Sequence, residues 1–567
     1  MNSPEISRFH YWKQWLLLIA LTLLVSLPGL SNLPVIDRDE ARFAQASVQM
    51  AESGDLINIR FQDEARNKKP AGIYWLQTAA IKTFGKTGDR AIWVQRLPSV
   101  LGALIAVLAT YWGTARMIGR RGAFIAASML ALSALMIFEA HIAKTDAVLC
   151  GLAATCFASL AHIRNGGQKS ATWIFWIALG ASIMIKGPVV PILVLLTIIS
   201  LVIWERRNQW IRAFLNWPAI IVFLLIWVPW AIMMWVTTDG AFFAESLGKD
   251  FGGKIISGQE KHGAPPGYHF AAIWLTLWPT CLLLIPGFAF AFRAVKHNNQ
   301  SDEPVIKAMR LCLSWIIPYW VLVEIMPTKL PHYTLPLFPA LCVISAAAAL
   351  TLLSVDEFKV TRRINAVIYL LISTVLIGTI MAASGYFGHV SYGYYAIGAI
   401  SGIAAIIATF AVWRGKMKLS LITSAASVIL LSITTYQFIL PGLDQLRTAD
   451  QLVALFEREN ILLPRNGGPE VVSPDFTEPS LIYHLGTNID VSGKTDLLDL
   501  EALKAGRVII LDQLREKAEP KLAMIKIQSE EQNLCTLSSD LLKTFNYSKG
   551  NPTKIVIIRA VPCTVSP

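Results

Sequence analysis

The chain has 567 residues, 54% of them hydrophobic and only 16% charged, with a mean hydropathy of +0.50. Soluble domains are about one quarter charged, so a soluble globular class is excluded. Repeated apolar runs of roughly 20 residues, each able to cross a ~30 Å hydrocarbon layer, define a polytopic membrane protein. The net charge of +12 matches nucleic-acid binding in size but not in distribution, because the excess cations lie in the connections between apolar runs.

About thirteen spans are expected, at roughly 15–34, 97–115, 123–140, 146–163, 172–185, 188–204, 217–236, 270–291, 310–326, 333–353, 364–383, 393–413 and 419–440. The first lacks a small-x-small cleavage site and reads as a retained span. With the N-terminus cytoplasmic, every inside connection is basic, from Arg8 and Lys13 through Arg120 and Arg121 to Arg414, Lys416 and Lys418. The short outside connections offer only Lys144, Lys186 and Lys329. This alternation obeys the positive-inside rule and accounts for much of the net positive charge without nucleic acid. It puts the loops 35–96 and 237–269, and everything after 440, on the outer face.

The first outer loop opens with Asp37, Arg38, Asp39, Glu40 and Arg42. Charge crowded at a membrane exit is costly unless it stays wet or meets a charged ligand. Two amphipathic helices follow, Glu40 to Glu52 and Gly72 to Phe84, of the kind that lies in the interface plane. The C-terminal region 441–567 changes character: β-rich runs at 471–472, 508–511 and 554–561 with helical stretches at 449–458 and 497–504 suggest a small α/β domain. Five of the seven cysteines lie in apolar runs. The other two, Cys535 and Cys563, are expected to pair because this compartment is the oxidising one, two unpaired thiols being the alternative.

The candidate chemistry gathers on the outer face. Asp39, Glu40 and Arg42 follow the first span, and Asp146 opens the fourth. Carboxylates converging there would position or deprotonate a nucleophile; helix capping is the plainer reading. Lys69, Lys186 and Lys329 oppose the positive-inside trend, which favours an anionic lipid-linked ligand over simple headgroup contact. His262 would bind a ligand or a metal, or pack in its loop. There is no HExxH, Cys-x-x-Cys or Walker loop, so zinc hydrolysis and ATP-driven pumping have no motif behind them.

Asp39-Glu-Ala-Arg-Phe43, Ser53-Gly-Asp55, Lys69-Pro-Ala-Gly-Ile-Tyr-Trp75 and Lys329-Leu-Pro-His-Tyr-Thr-Leu-Pro336, in this order, resemble the polyprenyl-phosphate-sugar glycosyltransferases. The match is nearest the aminoarabinose (lipid A) transferases, distant relatives of the protein O-mannosyltransferases. The resemblance implies a GT-C helical bundle over 1–440 and a periplasmic α/β domain over 441–567. It implies catalytic roles for Asp39 and Asp146 with Arg42 beside them, and a polyprenyl phosphate held by Lys69, Lys186 and Tyr333. The family's zinc is doubtful here, since Lys68 replaces the usual ligand Glu that would partner His262. Phe43 replaces the usual Tyr. Both departures lie near the sugar, and Asp37 and Arg38 are left as solvated neighbours.

The expected activity is transfer of a sugar from an undecaprenyl-phosphate-like carrier to lipid A or another lipopolysaccharide component, at the periplasmic face of a bacterial inner membrane. A protein or other glycan acceptor is the alternative within that chemistry. A lipid or solute transporter is the alternative outside it, but transporters hold ionisable residues at the midplane and show internal repeats.

Overall fold

The computed structural model describes residues 11–85, 90–166, 169–206, 209–253, 263–297, 301, 303–354, 358–388, 391–493, 495–515 and 518–563. His262 lies outside them. Among the described residues eight helices are long and apolar enough to span a bilayer, and two bent pairs, Gly119–Ala131 with Ala134–Ala140 (60°) and Tyr268–Thr276 with Thr280–Lys296 (112°), raise the number to as many as ten. Trp12–Ser26 and Val189–Glu205 are apolar but shorter, and Lys169–Lys186 carries a lysine at each end. Each expected span coincides with one of these helices or bent pairs. The count by length alone is lower because two helices are short, two spans are bent and one carries terminal lysines.

Both amphipathic helices of the first outer loop form, as Asp39–Ser53 and Gly72–Phe84, joined through a hairpin of β1 (Arg60–Phe61) and β2 (Glu64–Ala65). They pack face to face: the Phe43 and Tyr74 rings lie 5.3 Å apart, and the Ser47 hydroxyl donates to Gln77 Oε1 at 2.6 Å. Gly72 seats the second helix against the membrane bundle. A Cβ there would lie 2.6 Å from the Met184 carbonyl oxygen, so only glycine lets the chain after Lys69 approach the helix that ends in Lys186. Inside the bundle Gly102 plays the same part, a Cβ there falling 2.6 Å from the Val148 backbone. The Ile92–Thr114 and Asp146–Arg164 helices thereby meet closely, in the small-residue manner of membrane helices.

The C-terminal region is a mixed sheet in the order β4-β3-β5-β8-β6, with β7 also paired to β8. The strands are β3 (Val471–Val472), β4 (Ile489–Asp490), β5 (Val508–Asp512), β6 (Leu534–Ser538), β7 (Leu542–Asn546) and β8 (Asn551–Pro562). The parallel pairs β3/β4 and β3/β5 surround one side of β5, and β8 closes the other side antiparallel. Its strands β6 and β7, rich in Ser, Thr, Lys and Asn, carry too little apolar alternation to be read from sequence. Cys535 on β6 is joined to Cys563 by a disulfide, as expected.

This domain docks on the exit of the first span. The Ser480 N–H donates to Asp37 Oδ1 (3.1 Å), the Asp37 N–H donates to the Tyr547 hydroxyl (2.6 Å), and Arg38 donates to the Ser548 carbonyl (2.7 Å). Asp37 and Arg38 are therefore interface residues and not solvated neighbours. Gln62 donates to the Ile489 carbonyl (2.7 Å) and the Tyr483 hydroxyl to the Arg90 carbonyl (2.8 Å).

Candidate active site

The site is held in place by a buried ion pair. Arg96, on the Ile92–Thr114 helix, donates through Nε to Glu40 Oε1 (2.8 Å) and through Nη2 to Oε2 (2.9 Å), both side chains fully buried. The remaining Arg96 protons reach the carbonyls of Leu30, Leu33 and Pro34. The Glu40 carboxylate in turn accepts from the N–H groups of Ile36 (2.7 Å) and Ala143 (2.7 Å). One pair thus ties the exit of the first span, the outer-loop helix and the 141–145 turn together. A buried charge pair satisfied on every side specifies a geometry. The price is absorbed by Glu40, which the sequence reading placed at the substrate: its carboxylate is spent on structure.

That geometry sets Asp39, Arg42 and Phe43 on one wall of a cavity. Arg66, Lys68, Lys69, Lys144, Asp146, Lys186, Asp250, His332 and Tyr333 also line it. Six lysines and arginines face three aspartates there, a balance that suits an anionic ligand. The deep lysines are already paired. Asp146, buried at its helix N-terminus, accepts from Lys186 at 2.5 Å and lies 3.3 Å from Lys144, with His332 Nε2 at 3.9 Å. Lys144 also donates to Glu139 (3.1 Å), and Lys69 donates to Asp250 (2.5 Å). The Lys186 ammonium sits 6.0 Å from the Tyr333 ring centroid. Asp39, by contrast, is exposed at the head of its helix.

Two mainly apolar grooves run from this cavity. One passes Leu149, Val189, Ile192, Tyr319 and Met326; the other passes Pro188, Trp227, Trp230, Phe242 and Phe243. Lys69, Lys186 and Asp250 line the cavity and both grooves. A charged head with apolar channels leading from it is shaped for a lipid-linked anion.

The structure therefore brings together Asp39, Arg42, Lys69, Asp146, Lys186 and Tyr333 and leaves two expected residues outside. Glu40 is one. Lys329 is the other: its buried ammonium donates to the carbonyls of Val323, Glu324 and Met326, closing the C-terminus of the Pro304–Ile325 helix, where a cation is favoured. Sequence reasoning missed Asp250, Glu139, Lys144, Arg66 and His332. His332 stood inside the Lys-Leu-Pro-His-Tyr run, and Lys144 two residues before Asp146; Asp250 carried no signal.

Among the described residues one trio, Glu139, Asp146 and His332, brings ligand atoms within 4.8 Å of one another. Its carboxylates hold the Lys144 and Lys186 ammonium groups.

A dolichyl-phosphate-mannose-protein mannosyltransferase profile matches residues 68–235. The undecaprenyl phosphate-alpha-4-amino-4-deoxy-L-arabinose arabinosyl transferase of Edwardsiella ictaluri is 27% identical over 419 residues, 72% of each chain. Its counterpart in Aeromonas hydrophila is 26% identical over 413 residues, 70% of this chain and 71% of its own. The crystal structure of ArnT from Cupriavidus metallidurans bound to undecaprenyl phosphate matches with a TM-score of 0.71 at 17% identity, covering 98% of this chain and 99% of that one. The fold is that of the GT-C class of membrane proteins. Within that class the chain is similar to the aminoarabinose transferases along most of its length.

Proposed function

We propose that this protein transfers a sugar from an undecaprenyl-phosphate-like carrier to lipid A or another lipopolysaccharide component, at the periplasmic face of the inner membrane. The observation that carries this reading is the sharing of Lys69 and Lys186 between the polar cavity and both apolar grooves. A carrier tail lying in a groove delivers its phosphate to these two ammonium groups. The N-terminus is then cytoplasmic and the C-terminal domain periplasmic, with membrane lipids around the bundle.

In the transfer step the acceptor oxygen attacks the anomeric carbon, the carbon–oxygen bond to phosphate breaks, and the electron pair leaves with the carrier phosphate. Lys69, Lys186 and the Tyr333 hydroxyl stabilise the charge that develops there, a contribution of roughly 10²–10³ in rate for each well-placed group. Asp39 takes the acceptor proton when the acceptor is a hydroxyl, and orients the acceptor when it is an already ionised phosphate. Asp146 holds Lys186 and Lys144 in position.

The test is mass spectrometry of lipid A and core from a deletion strain, its parent, and the deletion strain complemented with wild type or Lys186→Ala. Loss of one sugar-sized mass, restored by wild type alone, is expected. Unchanged lipopolysaccharide in the deletion strain overturns the acceptor assignment and directs attention to protein or another glycan.

A further inference from the structure

The charge in the cavity is unevenly balanced. On its inner side Lys69 is paired with Asp250, Lys186 with Asp146, and Lys144 with Glu139 and Asp146. On the outer-loop wall stand Arg42 and Arg66, with Lys68, which is itself engaged, beside them. Among the described residues Arg42 makes no ion pair, and Arg66 engages only its Nε, which donates to the Tyr74 hydroxyl at 3.1 Å. The Arg66 guanidinium lies 5.3 Å from the Phe43 ring centroid, so it is held by the ring and the tyrosine. Its Nη groups have no acceptor among the described residues. Asp39 is the single carboxylate that lines this wall.

We propose that Arg42 and Arg66, with Lys68 beside them, form a second anion subsite that takes an oxyanion carried by the substrates apart from the carrier phosphate. This rests on the function proposed above. Two guanidinium groups present paired N–H donors in the geometry that carboxylate and phosphate oxygens accept. Two sources supply such an oxyanion: the carboxylate of an acidic sugar on the donor, or a phosphate on the acceptor lipid.

The experiment measures binding to the purified full-length protein in nanodiscs. The probes are bare undecaprenyl phosphate, undecaprenyl phosphate bearing a hexuronic acid or a neutral hexose, and lipid A with or without its phosphates. The variants are Arg66→Gln and Arg66→Lys. Arg66→Gln should weaken the anionic member of one probe pair by roughly tenfold or more, the size of a charge-assisted hydrogen bond, with Arg66→Lys recovering part of the loss. Bare undecaprenyl phosphate should bind both variants as it binds wild type, which also reports that they fold. A selective loss with the uronate donor supports the proposal and places the oxyanion on the sugar; a selective loss with phosphorylated lipid A supports it and places the oxyanion on the acceptor. Unchanged binding of every probe, or an equal loss for bare undecaprenyl phosphate, overturns it. Failure of wild type to bind bare undecaprenyl phosphate overturns the carrier reading instead.

Discussion

Asp39 and Asp146 share a cavity but not a chemistry. Asp146 is buried between two ammonium groups at 2.5 and 3.3 Å, so its oxygens are already engaged. Asp39 is exposed and has no such partner among the described residues. Asp39→Asn is therefore expected to lower kcat by about 10²–10⁴ with little change in donor KM. Asp146→Asn releases Lys186 and should raise donor KM as well as slow turnover; steady-state kinetics with varied donor separate the two. The helical period already distinguished neighbours that the sequence reading grouped. Asp39 and Arg42, three apart, share a face, while Glu40 shares another with Ala44, and both of those are buried. What the period left open was the identity of the buried partner, because Arg96 lies 56 positions away. Lys329 illustrates the opposite difficulty: a lysine on the outer side of a span looks like a ligand residue until the carbonyls it caps are seen.

At the scale of elements, two joints govern whether the site assembles. The first is Glu40 with Arg96. Removing one partner strands the other as a buried charge, a loss of about 3–5 kcal/mol. Glu40→Gln should lower the thermal unfolding midpoint and the yield of folded protein, measured by fluorescence-detected size exclusion, more than Asp39→Asn does. The second joint is Asp37 against the C-terminal domain. Burial there, reinforced by the nearby Glu478 and opposed by the Ser480 hydrogen bonds and His484, pushes the Asp37 carboxyl up to about 6. A raised carboxyl pKa means that the docked form binds its proton more tightly, so this contribution is present at low pH and fades as pH rises through about 6. Protection from hydrogen exchange over 478–484, relative to the intrinsic amide rate at each pH, should accordingly fall between pH 5 and pH 7, and Asp37→Asn should flatten that fall.

At the scale of the molecule, the apolar runs and the basic connections made the membrane bundle legible, since both follow directly from the bilayer as solvent. The sheet was only half legible. Its core strands β5 and β8 carry Val508-Ile-Ile-Leu511 and Ile555-Val-Ile-Ile558, whereas β6 and β7 borrow stability from pairing with β8. The proposed orientation predicts that alkaline phosphatase fused after residue 567 is active and that a fused fluorescent protein which matures only in the cytoplasm stays dark.

Asp250 gives this architecture a kinetic property. It sits where all three cavities meet and already holds Lys69, so an arriving carrier must displace a resident counterion. Under the proposed reaction the donor is a phosphodiester with one negative charge, while the spent carrier is a monoester approaching two at neutral pH. A cationic head alone would grip its product more firmly than its substrate. A carboxylate able to reclaim the lysine narrows that difference and helps the used carrier depart. Asp250→Asn should therefore tighten spent-carrier binding and lower the turnover rate while leaving single-turnover transfer nearly intact.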